Sequence, residues 1–227
     1  MQPLLVLTIG QAPRPDIVAE LADVLGDRPI EVQGALDGLS VADIEALTPV
    51  ADADALHTRL PTGLDVIISK KSVTERMAAL VDGAGDRLTL IACTGRFRGL
   101  PPRPNVLFPS VVLDGLIDAT LPAGHRLGVL VPIPEQIELF TEVRGRDDRP
   151  ATVVAVKPGT DPTAAAEQLR HAGVDLVVLD CFGYDRELLT TVRQVTGRPV
   201  LSAVRATAHL AAELMVDPEP PPETARG

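Results

Sequence analysis

Two cysteines, Cys93 and Cys181, are the only ones in the chain, and each closes an apolar run and precedes a glycine by two positions. The stretches are LIACTGRF at 90–97 and VLDCFGYD at 178–185. In an open α/β sheet, ligands collect at the carboxyl ends of strands, which is where both runs end. A helix after each turn would aim free N–H groups at the thiol and lower its pKa, and the glycine permits close backbone approach. Asp180 could oppose ionisation of Cys181, but alternation along a strand turns adjacent side chains to opposite faces, so its effect is expected to be small. Two thiols facing each other across a cleft could invert a carbon centre, one removing a proton beside a carboxylate and the other returning one from the opposite face. That chemistry needs no cofactor, only donors that stabilise the enolate-like intermediate. The alternative reading of the pair is two small buried hydrophobes at strand ends.

Neither cysteine belongs to a C-x-x-C redox pair, and no further Cys or His stands at metal-ligand spacing. His57, His125, His171 and His209 are scattered singly and read as surface or packing residues. A net charge of −10 sets nucleic acid and anionic membrane aside as main partners, because both need a basic surface. The opening MQPLLVLTIG carries no basic region and too short an apolar run for a signal or spanning segment, so a cytoplasmic location is expected.

These residues must be positioned by alternating elements. Strand-length apolar runs at 4–9, 30–36, 88–93, 126–131, 151–156, 175–180 and 199–203 alternate with helical periods at 15–25, 40–47, 71–82, 110–120, 134–144, 161–172, 185–196 and 204–215. The near-continuous hydrophobicity of the strands fits a largely parallel sheet covered on both faces. TRLPTGLDVIIS at 58–69 departs from this rhythm and reads as a hairpin around Pro-Thr-Gly. Asp161 and Pro162 form an expected N-cap and first helical residue, and Gly173 and Gly197 are expected helix stops. The expected organisation is a first α/β lobe at 1–118, completed by a C-terminal helix at 204–216, a second lobe at 119–203, and a disordered Pro/Glu-rich tail at 217–227.

The segment AGVDLVVLDCFGYDRELLTTVRQVTGRPVLSAVRATAHLAAEL at 172–214 resembles the second cysteine region of the aspartate/glutamate racemase superfamily. LTIGQAPRPD (7–16), LDGLS (36–40) and ACTGRF (92–97) resemble more narrowly its AroM family. The resemblance implies two pseudo-symmetric α/β lobes with mainly parallel sheets, a ligand cleft between them and one catalytic cysteine from each lobe: Cys93 and Cys181. Thr94 stands where amino-acid racemases commonly carry Asn, and Cys-Phe-Gly-Tyr replaces Cys-Thr-His, closer to the form in hydantoin racemase-like relatives.

The resemblance also places Gln11, Arg14 and Asp16 near a substrate. Arg14 offers a fork for a carboxylate, while Asp16 suits a helix start. Thr94, Gly95, Arg96, Phe182, Gly183, Tyr184 and Ser202 complete the expected substrate contacts. Packing is the alternative for Tyr184, and helix capping for Ser202. Ser69, Lys70 and Lys71 at the end of the hairpin could meet an anionic ligand but read first as a solvated basic turn, and Arg98 as loop surface.

The expected function is therefore a cofactor-independent racemase or isomerase of a small carboxylate, an amino acid or a derivative, through Cys93 and Cys181, with no metal. The alternatives are a single-cysteine decarboxylase or cis-trans isomerase of the same superfamily, and a non-catalytic small-molecule binding protein using the cleft. A homodimer follows only by analogy.

Overall fold

The computed structural model describes residues 2–100 and 102–215, and the expected tail lies outside them. Ten strands and eight α-helices occur among the described residues. The first lobe runs β1 (Leu4–Thr8), α1 (Pro15–Leu25), β2 (Ile30–Gly34), α2 (Val41–Glu45), β3 (Ala55–Arg59), β4 (Asp65–Ser69), α3 (Lys70–Ala84), β5 (Thr89–Ile91), β6 (Val106–Leu107) and α4 (Pro109–Thr120). The second runs β7 (Leu127–Val131), a 3-10 turn at Pro134–Gln136, α5 (Ile137–Arg144), β8 (Ala151–Ala155), α6 (Thr163–His171), β9 (Leu176–Leu179), α7 (Arg186–Thr196) and β10 (Val200–Ser202), and α8 (Ala203–Leu214) follows.

Two parallel four-stranded sheets, β2-β1-β5-β6 and β8-β7-β9-β10, repeat one strand order, with β3 and β4 as an added antiparallel hairpin. This is the expected α/β class with mainly parallel sheets in two lobe-like systems. Each cysteine follows the third strand of its sheet, β5 or β9, at the end where the connection reverses direction along the sheet.

Strand alternation builds three cores. Leu4 and Val6 of β1, Leu127, Val129 and Val131 of β7, and Leu176 and Val178 of β9 share one central core with side chains of α1, α4 and α8. The opposite face of β1 packs with α3 and the hairpin, and the opposite faces of β7 and β9 with α6 and α7. Because α8 returns to lie on α1 and α4, the sheets are joined through one apolar layer. No helix among the described residues is long and apolar enough to cross a membrane.

Local signals account for most element ends. Pro15 and Pro109 open α1 and α4, and Gly197 closes α7 in the left-handed conformation at φ 63°. The hairpin turn closes through Leu60 N–H to Leu64 O at 2.8 Å. One cap differs from expectation. Helix α6 begins at Thr163 with Pro162 in the cap position, and Asp161 accepts the Thr163 N–H at 3.0 Å from one residue further out. The two-residue strand β6 was too short to produce a sequence pattern; it follows the proline-rich stretch and pairs with β5.

A charged chain also ties the lobes together. Arg144, at the end of α5, donates from Nε to Asp180 Oδ2 at 2.6 Å and also binds Asp114 of α4, which takes two hydrogen bonds from Arg96 at 2.7 and 2.9 Å. Asp180 is fully buried and Arg144 nearly so. Removing one member of such a pair leaves an uncompensated charge in a dry site. Arg144→Met should therefore lower the unfolding free energy by roughly 3–5 kcal/mol, read from urea denaturation. Adding Asp180→Asn to that variant should restore a large part of the loss, because the stranded charge disappears with it.

Candidate functional site

One cavity of about 160 Å³ opens between the two sheets. That is room for a small organic acid, since an engineered apolar cavity of about 150 Å³ accepts benzene. Its wall takes Arg14 from the β1–α1 loop, all of β3, Lys70 at the start of α3, and the residues after β5 and β9, including both cysteines. Apolar surface comes from Ile9, Ile17, Leu139, Phe140 and Val143.

The repeated Cys-x-Gly motif has a geometric reason. Gly95 N–H donates to Cys93 Sγ at 3.3 Å, and Gly183 N–H donates to Cys181 Sγ at 3.3 Å. A Cβ on Gly95 would come within 3.2 Å of Leu56 and 3.3 Å of Cys93 Sγ, and one on Gly183 within 3.2 Å of Pro158. Each glycine thus lets the loop fold tightly over its own sulfur.

The thiols themselves correct the expected mechanism. They are free, unbridged and not brought close together, and each accepts a hydrogen bond from its own loop. Although each keeps some surface toward the cavity, burial pushes Cys93 up to about 11 and Cys181 up to about 12. Asp180 adds to both, and Cys93 adds to Cys181. Alternation turns Asp180 toward the central core, and its contribution at Cys181 ranks behind burial, the Gly183 N–H and Cys93. Near neutral pH both sulfurs are proton donors and neither is a base. The acid/base pair of two cysteines expected from sequence, and the racemase built on it, are therefore overturned.

The other expected contacts divide into two groups. Arg14, Thr94, Gly95, Arg96, Phe182 and Gly183 line the cavity. Arg14 is buried and held by a two-bond fork on Asp16 at 2.9 and 2.6 Å, with one nitrogen turned toward the hydroxyls of Thr8 and Thr58. Thr94 spends its hydroxyl proton across the lobes, donating to Asp180 O at 3.0 Å. Arg96 is occupied by Asp114.

Gln11, Tyr184 and Ser202 are not on the cavity wall. Gln11 donates to Leu36 O and Leu39 O, and with Asp37 it pins the loop that carries Arg14. Gly34 is required there, because a Cβ would lie 2.5 Å from Gly10 O. Tyr184 is buried in the second lobe and donates to Val156 O at 2.7 Å. Ser202 caps α8 by accepting the Arg205 N–H.

Sequence reading missed His57, Arg59, Lys70, Arg98 and Gln136 as wall residues. The hairpin was recognised, but nothing in one sequence shows that it spans the cleft. Gln136 of the second lobe donates to Ala55 O at 3.0 Å, while Arg59 donates to Pro158 O and Lys157 pairs with Asp65 at 2.8 Å. The wall carries Arg14, Arg59, Lys70, Arg96 and Arg98 and no carboxylate side chain, in a chain whose net charge is −10. Lys70 and Arg98 have no carboxylate in ion-pair contact among the described residues. Among those residues no group of His, Cys, Asp or Glu is placed to hold a metal.

This fold, two repeated parallel sheets with a cavity between them, is that of the aspartate/glutamate racemase-like proteins. Similar solved structures are a glutamate racemase from Francisella tularensis subsp. tularensis SCHU S4 in complex with D-glutamate and an unliganded arylmalonate decarboxylase. The first has a TM-score of 0.52 and 13% identity, covering 94% of this chain and 80% of that one. The second has a TM-score of 0.51 and 15% identity, covering 94% and 92%. At such identities the likeness concerns the fold. The chain belongs to the AroM family, whose model, described as AroM protein, matches residues 4–215. No curated protein matches it in sequence.

The protonation of the thiols is directly measurable. Alkylation of Cys93 and Cys181 by iodoacetamide should be slower at pH 7.5 than that of free cysteine, whose pKa is about 8.5. The rate should keep rising with pH beyond 9. A plateau below pH 8 would mean that one sulfur is a thiolate at rest.

Proposed function

We propose that this chain is a single-thiol decarboxylase of a small dicarboxylic acid, with Cys93 supplying the proton. The observation that carries this reading is the pairing of a protonated buried thiol with a cavity wall holding five cationic side chains and no carboxylate. An α-amino acid would bring an ammonium group into that wall with no anion to meet it. A dicarboxylate meets Lys70, Arg98 and Arg14 instead.

Loss of carbon dioxide breaks one carbon–carbon bond and leaves its electron pair on the α-carbon, delocalised into the retained carboxylate. The cationic wall stabilises that charge. The Cys93 S–H proton then transfers to the carbon, and the thiolate left behind takes a proton from water. Gly95 N–H and the field of Lys70 favour that transient thiolate; Gly183 N–H and Arg14 act alike on Cys181, but burial and the neighbouring Cys93 push Cys181 the higher, to about 12 against about 11. Cys181 is assigned a packing role against the second-lobe core.

The proposed division into lobes at about residue 120, with α8 completing the first, is supported by the repeated strand order and by the packing of α8 on α1 and α4. A second reading, ligand binding without turnover, draws on the same neutral thiols, because a cavity without a base also suits a receptor.

The deciding experiment is carbon dioxide release from a panel of phenylmalonate, methylphenylmalonate and hydroxymalonate. Cys93→Ala should reduce the rate at least roughly 100-fold, the lower range for a positioned general acid, and Cys181→Ala should change it far less. Equal loss in both variants would contradict the single-thiol assignment. Malonate-induced thermal stabilisation without turnover, surviving in the double Cys→Ala variant, would favour the binding reading.

A further inference from the structure

His57 lies on β3 with its ring mostly enclosed and lining the cavity. Its Nε2 is 3.1 Å from Asp65 Oδ1, across the hairpin. Asp65 in turn receives two hydrogen bonds from Arg59, at 3.0 and 3.2 Å, and an ion pair from Lys157 of the second lobe at 2.8 Å. Burial alone would raise the Asp65 carboxyl, but these donors hold it well below the usual carboxylate range. An ionised carboxylate can only accept, so in a neutral imidazole the proton must sit on Nε2. Burial keeps His57 below its ordinary value despite the attraction of Asp65, with Arg59 and Lys157 acting in the same direction as burial. The ring is therefore neutral near pH 7, and Nδ1 is left as a lone pair. That nitrogen has no protein partner among the described residues, and it is not among the buried polar atoms sealed off without one.

We propose that His57 is a specificity-determining residue of the cavity, an acceptor fixed by Asp65 that selects small acids bearing a hydroxyl or another hydrogen-bond donor. Beside the cations, hydroxyls, thiols and Gln136 amide of the wall, Nδ1 is a directional acceptor that a bare carboxylate cannot use. An oxygen without a proton placed against it meets lone-pair repulsion, and a hydroxyl meets a hydrogen bond. The inference rests on the reading of the cavity as a carboxylate site, and it adds what else the acid must carry.

The test is calorimetric titration of the full chain with malonate and with hydroxymalonate, which differ by one hydroxyl. Wild type should bind hydroxymalonate roughly tenfold more tightly, about what one satisfied hydrogen bond supplies. Two substitutions separate ligand reading from support of the hairpin. His57→Gln can reach Asp65 from the position of Nε2 but has nothing at Nδ1, so the ratio of the two affinities should fall to about one. His57→Asn puts an amide oxygen near the position of Nδ1 and abandons Asp65, so a preference should survive. The opposite pattern, preference kept in Gln and lost in Asn, would overturn the proposal in favour of a purely structural His57–Asp65 contact. Equal binding of the two acids by wild type would overturn it while leaving the carboxylate site intact. Binding of neither acid would remove the carboxylate reading and this inference together.

Discussion

A carboxylate with no access to water, Asp180, is the constraint around which the cleft is arranged. Its charge is balanced by Arg144 from another element, and Arg144 is fixed in turn by Asp114 of the first lobe. The backbone oxygen of Asp180 also takes the Thr94 hydroxyl from the loop that carries Cys93. One residue thus joins the ends of β5 and β9, where the two thiols emerge. Burial is what chiefly raises both sulfurs, and Asp180 adds a smaller share to each. Asp180 Oδ1 is buried with no hydrogen-bond partner among the described residues.

From that buried junction outward, the cavity becomes cationic. Net charge describes the whole surface, and here it conceals its local opposite: an acidic chain enclosing a basic pocket. Arg14 and Arg96 are pinned by Asp16 and Asp114 outside the wall, which holds their guanidinium groups in place without putting a carboxylate in the cavity. The hairpin adds Arg59 and His57 and is fastened to the second lobe at both Gln136 and Lys157. The cavity is consequently roofed by an insertion that interrupts the strand order shared by the two lobes.

How much of this was legible in the sequence depended on the range of the interactions. Both sheets came from short-range pattern: apolar runs at Leu4–Thr8 or Leu127–Val131 have few other uses, and Pro15, Pro109 and Gly197 mark element ends through backbone geometry alone. The cysteines were found because their glycines repeat the same local fold over sulfur. Protonation was not legible, because it follows from burial and from a carboxylate whose facing is known only once the strands are packed. Lys70 and Arg98 looked like solvated surface for a related reason, since the hairpin that brings the cleft to them is placed by long-range contacts. His57 is the clearest case. A lone histidine on a strand carries no signal until Asp65, eight residues on and across a turn, is seen to hold one of its nitrogens.

The central claim is that a protonated thiol gives its proton once, to one face of a carbanion, and that the resting site contains no thiolate base. It is tested most directly by following methylphenylmalonate with the wild-type protein in deuterium oxide, by proton NMR and chiral separation. The account predicts a monocarboxylic product with one deuterium at the α-carbon, in one enantiomer, stable on prolonged incubation with the protein. Continued washing-out of the α-position with racemisation of the product would contradict it, because that exchange requires a base on each face.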